Sequence, residues 1–384
     1  MSVTANQPLV SILIPCYNCE NWVKQAVESG LNQTYPNIEI IVVDDGSTDR
    51  SFEILRQFLP RIRLETGPNR GGNIARNRAF ELSAGEYIQY LDADDYLEPD
   101  KVARQVQFLE ETKADVVYGD WRYRRHLPDS RFSYFDKIEI GGVQQDILAS
   151  LVSGRWWIFP GAVLYRRRVV NEVGGWDETL RAAQDRDFFT SVALSGAKIR
   201  YQAGCYSIYR QYGAVTVSSS NLSRWVEGHC ITLKKAELAL ARTGRLTEEY
   251  RAALAAGYFG LARGTTDYDS RGTIVRATYA KILGGLINKI LDLCPDFHSS
   301  DETRLFTTLE RLFGFRFAMN LLWARLFVRR VKLNLRDTFL LRLVLRLKRV
   351  NLQREASGHF SSSTFGQKGP IESDSSKPKR IDGK

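Results

Sequence analysis

Three short strand-like runs, each followed by a helical pattern, constrain the fold of this chain more than any other feature. The runs are rich in β-branched and aromatic residues and cover 10–15, 38–43 and 87–91. Apolar residues recur at helical spacing over 22–31, 51–59 and 74–82. Strands that alternate with helices form parallel sheets, because each helix returns the chain across a face of the sheet. The sequence therefore predicts an α/β domain with a mainly parallel central sheet flanked by helices.

Polar or turn residues follow every one of these runs. They occupy positions 17–18 after the first run, 44–47 after the second and 92–94 after the third. Ligands of open parallel sheets bind beyond the carboxyl ends of the strands. We therefore expect the three loops to meet at one edge of the sheet and to form a single binding site.

The third loop carries three carboxylates within four positions, at Asp92, Asp94 and Asp95. Carboxylates this close repel one another and raise one another's pKa unless a cation neutralises them. Hard ions such as Mg²⁺ or Mn²⁺ do so, and they commonly share their coordination shell with substrate phosphates. The sequence thus indicates a site for a metal ion and a diphosphate. The alternative is a solvated acidic turn in which Asp95 caps the helix that begins near Pro99.

Two further loops precede helices and carry groups suited to a nucleotide. In the loop 44–49, Asp45 is placed to accept a hydrogen bond from a base, although the same residues suit a well-capped turn. In the loop 69–77, two glycines lie where the chain enters a helix, and Arg76 follows. Helix N-termini and arginine side chains both favour phosphates. The loop matches neither the dinucleotide fingerprint nor the P-loop.

A candidate catalytic carboxylate lies further along the chain, where Asp185 and Asp187 precede a helical run through Leu194. A carboxylate beside a leaving group can deprotonate an incoming hydroxyl, which is the work of a general base. Acidic residues at a helix start also suit the helix dipole alone, and both interpretations stay open. The surrounding segment 115–212 is irregular and aromatic, which is typical of an acceptor-binding half. We expect most of its aromatic residues in the core and one or two in a pocket.

Taken in order, five motifs make the chain similar to the family 2 inverting glycosyltransferases. They lie at 15–18, 44–49, 69–77, 91–95 and 174–177, the last together with Asp185. They extend over roughly residues 9–215, and their order makes the match far more specific than any one motif. The resemblance implies the GT-A nucleotide-diphosphosugar transferase fold and a divalent metal ion. It also implies transfer of a sugar from a nucleotide donor, with inversion at the anomeric carbon.

The resemblance further implies roles for individual residues. The donor side comprises Pro15, Tyr17, Asp45, Gly71, Arg76, Asp92 and Ala93. Of these, Pro15 and Tyr17 would frame the base and Asp45 would read it. The ligands of Mg²⁺ or Mn²⁺ would be Asp94 and Asp92, and the base that activates the acceptor hydroxyl would be Asp185. The acceptor side comprises Trp176, Asp177 and Gln184.

The chain departs from the family pattern at two places. Family members commonly have Glu immediately before the catalytic base, where this chain has Gln184. Many also have Arg-x-His where this chain has Arg210, Gln211 and Tyr212. A tyrosine cannot supply the neutral imidazole that a metal ion binds, so we expect the metal shell or the closing of that loop to differ. The alternative function is a catalytically impaired nucleotide-sugar-binding or scaffold protein at the membrane.

The net charge of +10 is concentrated near the C-terminus. Residues 311–349 hold eleven Lys or Arg and one acid, Asp337. Apolar residues recur every fourth position from Trp323 to Leu335, and arginines fall on another side of the same helical wheel. A basic amphipathic helix suits an anionic membrane surface, and the alternative is packing on the catalytic domain or another subunit. The expected partners are this surface, a nucleotide-sugar donor and a glycan or lipid-linked acceptor, but no nucleic acid.

The length of 384 residues exceeds one average domain. We expect a GT-A domain at 1–220, a helical and basic C-terminal region at 221–355, and a disordered tail at 356–384. The chain lacks a bilayer-spanning apolar run and an N-terminal signal core, and its five scattered cysteines suit reduced thiols. These features predict a cytoplasmic protein, peripheral on the inner face of the plasma membrane.

The predicted activity is transfer of a sugar, from a UDP-sugar in preference to other nucleotide sugars, in glycan, polysaccharide or glycolipid biosynthesis. A nucleotidyltransferase that makes the activated sugar is disfavoured, because no lysine-containing glycine-rich loop follows the first strand.

Overall fold

A computed structural model of the chain describes residues 7–126, 132–139, 141–212, 221–268 and 276–298, with short stretches between 307 and 320. These residues fall within one compact unit, Met1–Trp323. The basic amphipathic helix predicted from Trp323 onward and the tail predicted from 356 lie outside the described residues, and both stay predictions.

The described strands and helices alternate along the first hundred residues, as the sequence predicts. The strands are β1 (Val10–Cys16), β2 (Ile38–Asp44), β3 (Arg63–Thr66), β4 (Tyr87–Tyr90), β5 (Tyr96–Leu97), β6 (Val116–His126), β7 (Phe132–Glu139), β8 (Val163–Arg166) and β9 (Ile199–Gln211). The helices are α1 (Val23–Leu31), α2 (Ser51–Arg56), α3 (Gly72–Leu82), α4 (Lys101–Thr112), α5 (Ile147–Ser153), α6 (Arg167–Val173), α7 (Gln184–Leu194), α8 (Leu222–Arg242), α9 (Glu248–Tyr268) and α10 (Arg276–Leu293).

The strands form one sheet in the order β3-β2-β1-β4-β8-β6-β9-β5, with β7 paired to β6. Strand β1 is parallel to β2 and β4, and β2 is parallel to β3. Strand β8 is antiparallel to β4 and β6, whereas β6 and β9 are parallel. The predicted α/β fold with a mainly parallel sheet is confirmed. Cys16 is in register with Asp44, so the first two strand ends meet at one edge.

The first strands are apolar throughout because helices cover both faces of the sheet. Leu13 and Ile41 lie in a core cluster with residues of α3 and α7. Ile12 and Ile40 point the other way, into a cluster with residues of α1 and α4. Burial of each such side chain stabilises the fold by roughly 1.5–3 kcal/mol.

The expectation of an irregular segment at 115–212 is wrong, because β6, β8, β9 and three helices occupy most of it. A register shift between Tyr118 and Asp120 interrupts the pairing of β6 with β9 and obscures the two-residue alternation that marks a strand. The aromatic residues are mostly core, as expected. Those at most 3% exposed include Trp121, Phe159, Trp176, Phe188 and Phe189.

Helices α8 to α10 pack on the sheet-containing part of the unit. A third core cluster joins Val152 of α5 to Leu233 of α8 and Leu254 of α9. The helix α8 approaches the entry to α7 closely, since a Cβ at Gly228 would lie 2.5 Å from the Ala182 carbonyl oxygen. In the described residues no helix is both long enough and apolar enough to cross a bilayer.

Candidate active site

The loops after β1 and β2 interlock, so the first two binding motifs form one surface. The backbone N–H of Thr48 donates to Asn18 Oδ1 at 2.8 Å, and that of Asn18 donates to Ser47 Oγ at 3.0 Å. Tyr17 is 48% exposed beside this junction, whereas Pro15 lies within β1. The exposed tyrosine ring therefore offers a surface to a ligand, and the proline shapes the strand end beneath it.

Asp45 holds the loop that enters α3. Its two carboxylate oxygens accept the backbone N–H groups of Arg70 at 2.7 Å and Gly71 at 2.8 Å. Gly71 has a φ of +110°, and a Cβ there would overlap the guanidinium of Arg181, so this position requires glycine. Each oxygen of Asp45 retains a lone pair for a further donor. The residue predicted to read the base thus also fixes the neighbouring loop.

Arg76 joins three elements at the centre of the site. Its Nη2 donates to Asp92 Oδ1 at 2.7 Å, and its Nη1 donates to Gln184 Oε1 at 3.3 Å. The guanidinium lies 4.6 Å from the ring centre of Trp176, which is itself stacked on Phe188 at 4.4 Å. The arginine of α3 is therefore fixed between the end of β4 and the start of α7. Trp176, predicted on the acceptor side, lies buried against this arginine.

Asp185, the predicted base, lies in the first turn of α7. Two positions before it, Ala183 has a left-handed backbone with a φ of +58°. Residues other than glycine rarely adopt this conformation. Asp185 Oδ1 accepts the backbone N–H of Arg186 at 2.9 Å, and no described side chain donates to it. Burial raises the pKa of Asp185, and the charge of Asp92 adds to the rise while Arg76 opposes it. A raised pKa makes the carboxylate a stronger proton acceptor.

The acidic segment 92–95 lies at the end of β4. Asp95 is 1% exposed and accepts the backbone N–H of Arg210 at 2.7 Å. Asp94 Oδ2 accepts the Tyr212 hydroxyl at 2.9 Å. Burial raises the pKa of Asp94 and, more strongly, of Asp95, and the neighbouring carboxylates raise both further. The alternative of a solvated acidic turn in which Asp95 caps a helix is wrong, because Asp95 is buried against β9 and α4 begins without a side-chain cap.

This segment suits a hard cation. Asp92 Oδ2 and Asp94 Oδ1 accept no hydrogen bond from a described side chain, and carboxylate oxygens are the ligands that Mg²⁺ and Mn²⁺ prefer. A cation between them would relieve the repulsion that raises the pKa of Asp94. Within the described part of the chain, no group of three or more His, Cys, Asp or Glu is placed to hold a metal ion. Phosphates and water would therefore have to complete the shell.

Two other residues predicted for the site, Asp177 and Ala93, contact the protein itself. Lys235 Nζ of α8 donates hydrogen bonds to Asp177 at 2.7 Å and to Asp187 at 2.8 Å. Asp177 therefore helps to hold α8 against the sheet-containing part. The side chain of Ala93 is 3% exposed in the core, which leaves its backbone for any ligand contact. The donor-side role of Ala93 and the acceptor-side role of Asp177 stay predictions.

Sequence reasoning marks Arg210, Gln211 and Tyr212 as a departure from the family pattern at the metal shell or a closing loop, but it does not predict their contacts with the acidic segment. Arg210 is 3% exposed, donates through Nη1 to the Asp94 carbonyl at 2.5 Å, and lies 4.4 Å from the ring centre of Trp22. Tyr212, two residues further along, packs its ring 5.2 Å from the same indole. Tyr212 lies just beyond the end of β9 at Gln211, and the departure from the family pattern at 210–212 is the signal that the sequence offered.

Comparisons with known proteins agree with this geometry. The family model described as Glycosyl transferase family 2 matches residues 11–174. A chondroitin synthase of Pasteurella multocida is 44% identical over 234 residues, which are 59% of this chain and 23% of that protein. An Escherichia coli protein, the UDP-Glc:alpha-D-GlcNAc-diphosphoundecaprenol beta-1,3-glucosyltransferase WfaP, is 40% identical over 115 residues, which are 29% of this chain and 46% of that protein. The chain thus spans less than half the length of either relative.

A solved structure shares the fold. The S. aureus TarS fragment 1-349 in complex with UDP-GlcNAc has a TM-score of 0.58 at 18% sequence identity, and the likeness covers 82% of this chain and 90% of that one. This likeness supports the GT-A fold. With its predicted motifs gathered at one sheet edge, the chain is similar to glycosyl transferase family 2, whose model matches residues 11–174.

Proposed function

We propose that the protein transfers a sugar from a UDP-sugar to a hydroxyl group of a glycan, polysaccharide or glycolipid, with inversion at the anomeric carbon. The observation that carries the proposal is Asp185, a carboxylate of raised pKa without a side-chain partner, next to the charges of Arg76 and Asp92. An unpartnered, poorly solvated carboxylate costs stability, so its retention at this edge of the sheet favours a catalytic role.

The donor would bind along the loops after β1 and β2. The exposed ring of Tyr17 suits stacking with a base, and Asp45 keeps acceptor capacity for a base N–H. Arg76 supplies positive charge where the diphosphate would lie. A UDP-sugar is favoured because the TarS fragment was solved with UDP-GlcNAc and the WfaP name specifies UDP-Glc.

The proposed reaction is one displacement. The carboxylate of Asp185 takes the proton of the acceptor hydroxyl as its oxygen forms a bond to the anomeric carbon. The bond from that carbon to the β-phosphate oxygen breaks on the opposite face, and the electron pair leaves with UDP. The product therefore has inverted configuration, and Asp185 must return its proton to solvent before the next turnover.

The divalent cation is Mg²⁺ or Mn²⁺ in this proposal, held by Asp94 and Asp92. It would neutralise the charge that develops on the departing diphosphate. Arg76 assists from the other side, because its ion pair with Asp92 keeps the guanidinium oriented before the donor arrives.

The isosteric substitution Asp185→Asn tests the assignment of the base. We expect the turnover of UDP-sugar with acceptor to fall by about 10²–10⁴-fold, because the amide cannot take the proton. The affinity for UDP, measured by isothermal titration calorimetry with Mn²⁺, and the melting temperature should stay unchanged. Turnover at the wild-type rate would exclude Asp185 as the base. UDP binding by the wild type with no turnover would instead favour the impaired binding protein.

We further propose that the protein is cytoplasmic and attaches to the inner face of the plasma membrane through the basic segment 323–349. Support comes from the charge pattern of the sequence. Co-sedimentation with phosphatidylglycerol vesicles should exceed that with phosphatidylcholine vesicles, and replacing Arg329, Arg330 and Lys332 by Gln should reduce the difference. Equal binding to both vesicles would contradict the attachment.

A further inference from the structure

One tryptophan differs from the other aromatic residues of the β6–β9 half of the sheet. Trp157 is 40% exposed, whereas Trp121 beside it is 1% exposed. Among the described residues, none accepts a hydrogen bond from the indole N–H of Trp157, and the side chain as a whole is exposed. A large ring left in water with a free donor is unusual, because indole N–H groups ordinarily find a partner. The ring therefore presents both an apolar face and a hydrogen-bond donor to a ligand.

The exposed ring is held rigidly. Its centre lies 5.1 Å from that of Trp121 in an edge-to-face arrangement, and 6.0 Å from that of Tyr209. Tyr209 is braced in turn by Phe159 at 5.2 Å. The indole N–H of Trp121 is buried and has no partner among the described residues, so a second donor lies within the same group of rings. A preorganised aromatic surface binds a flat apolar face with little loss of entropy.

Tyr209 connects this surface to the catalytic carboxylates. Burial raises the pKa of the Tyr209 hydroxyl, and the charges of Asp95, Asp92, Asp94 and Asp185 raise it further. Tyr209 directly precedes Arg210, whose backbone N–H donates to Asp95 at 2.7 Å, and the Tyr209 ring lies 6.0 Å from that of Trp157. The donor residues come from β1, β2 and α3, whereas Trp121 and Tyr209 lie on β6 and β9. Trp157 therefore packs against residues of β6 and β9, whereas the proposed nucleotide residues lie on or after β1, β2 and at α3.

We infer that Trp157 is the platform on which a sugar ring of the acceptor stacks while its hydroxyl reaches Asp185. This inference rests on the proposed function and specifies its acceptor end as a carbohydrate. The C–H face of a pyranose ring matches the apolar indole face, and the free indole N–H supplies a donor for a ring hydroxyl. A lipid phosphate alone has no apolar ring face that could stack on this indole.

Binding and turnover are measured separately so that the two proposals can fail separately. Saturation-transfer NMR with the methyl β-glycosides of glucose, N-acetylglucosamine and glucuronic acid reports sugar binding on wild type, Trp157→Ala and Trp157→Phe. We expect at least one glycoside to bind the wild type and the Phe variant, and at least about tenfold weaker binding to the Ala variant. Leu238→Ala removes another large exposed apolar side chain, 45% exposed on α8, and should bind as the wild type does.

UDP release supplies the second readout. Hydrolysis of UDP-glucose and UDP-N-acetylglucosamine in the absence of acceptor should be the same in wild type and Trp157→Ala. Stimulation of UDP release by the bound glycoside should disappear in the Ala variant alone. Glycoside binding to Trp157→Ala at wild-type strength, or binding of none of the three glycosides to the wild type, would overturn the platform. Glycoside binding that depends on Trp157, without UDP release by any variant, would contradict the transferase and leave the sugar platform standing.

Discussion

Gly228 on α8 tests how the catalytic segment is held in place. A Cβ at this position would lie 2.5 Å from the Ala182 carbonyl oxygen. Ordinary contact needs about 3.5 Å, so either α8 or the segment must move by on the order of 1 Å in Gly228→Ala. Ala182 is followed by Ala183, whose left-handed backbone leads directly into α7 and Asp185. Displacement of Ala182 should therefore reach the base.

The expected magnitudes separate activity from stability. Alanine gains about 1 kcal/mol of helix propensity over glycine, whereas overpacking costs about 1–3 kcal/mol. The free energy of unfolding should therefore fall by no more than about 2 kcal/mol in Gly228→Ala. A misplacement of about 1 Å at a reacting group lowers the rate by roughly 10²-fold. We expect kcat to fall by about that factor. The UDP affinity should change by less, because Tyr17 and Asp45 lie on the loops after β1 and β2 and not on the displaced segment.

The matched control is Gly260→Ala on α9, where a Cβ would meet no atom within 4 Å. This variant should keep the wild-type kcat and gain about 0.5–1 kcal/mol of stability. The assay combines kcat from UDP release at saturating donor, UDP titration calorimetry and thermal unfolding. A folded Gly228→Ala protein with wild-type kcat would refute the view that α8 holds the catalytic segment.

Three further predictions concern charge. Burial raises the pKa of Asp185 above the usual aspartate pKa of about 4. We therefore expect kcat/KM to fall as the pH drops through this raised pKa, and to level off at higher pH, where the base is ionised. An acidic limb at or below about 4 would contradict this. Tyr212→Phe removes the hydroxyl that donates to Asp94. Binding of Mn²⁺ to the UDP complex, measured by titration, should become about 2–10-fold tighter. Weaker Mn²⁺ binding would contradict this prediction. Lys235→Met leaves Asp177 and Asp187 without their shared ammonium group. The free energy of unfolding, measured by urea denaturation, should fall by about 1–2 kcal/mol. The control Lys234→Met, at an exposed position, should leave it unchanged.

The strands β1, β2 and β4 could be predicted because each is a short apolar run followed by polar or turn residues. The run at 38–43 became β2 (Ile38–Asp44), and the run at 10–15 became β1 (Val10–Cys16). The second half of the sheet could not be predicted in the same way. Strand β8 (Val163–Arg166) has four residues and pairs with strands on both sides, β4 and β6, which are distant in sequence. Its pairing depends on packing that no local pattern records.

The same division applies to the site. Asp45, Arg76, Asp92 and Asp185 were identified from short motifs, because a carboxylate or arginine at a strand or helix end has a readable local context. The hydrogen bond between Asp95 and the backbone of Arg210 joins residues 115 positions apart. The contact of Lys235 with Asp177 and Asp187 arises only once α8 packs on α7. Long-range partners of this kind are set by the tertiary fold, and periodicity along the chain does not reveal them.

If the proposed function holds, the two hydrogen bonds of Asp45 have a consequence for how the protein would discriminate between nucleotides. The carboxylate holds the backbone of Arg70 and Gly71, the loop from which α3 and Arg76 begin. A base that pulls this carboxylate out of position must also shift the end of the helix that faces the diphosphate. An ill-fitting nucleotide would then be penalised in the rate of sugar transfer as well as in its affinity, because recognition of the base and alignment of the leaving group share one side chain.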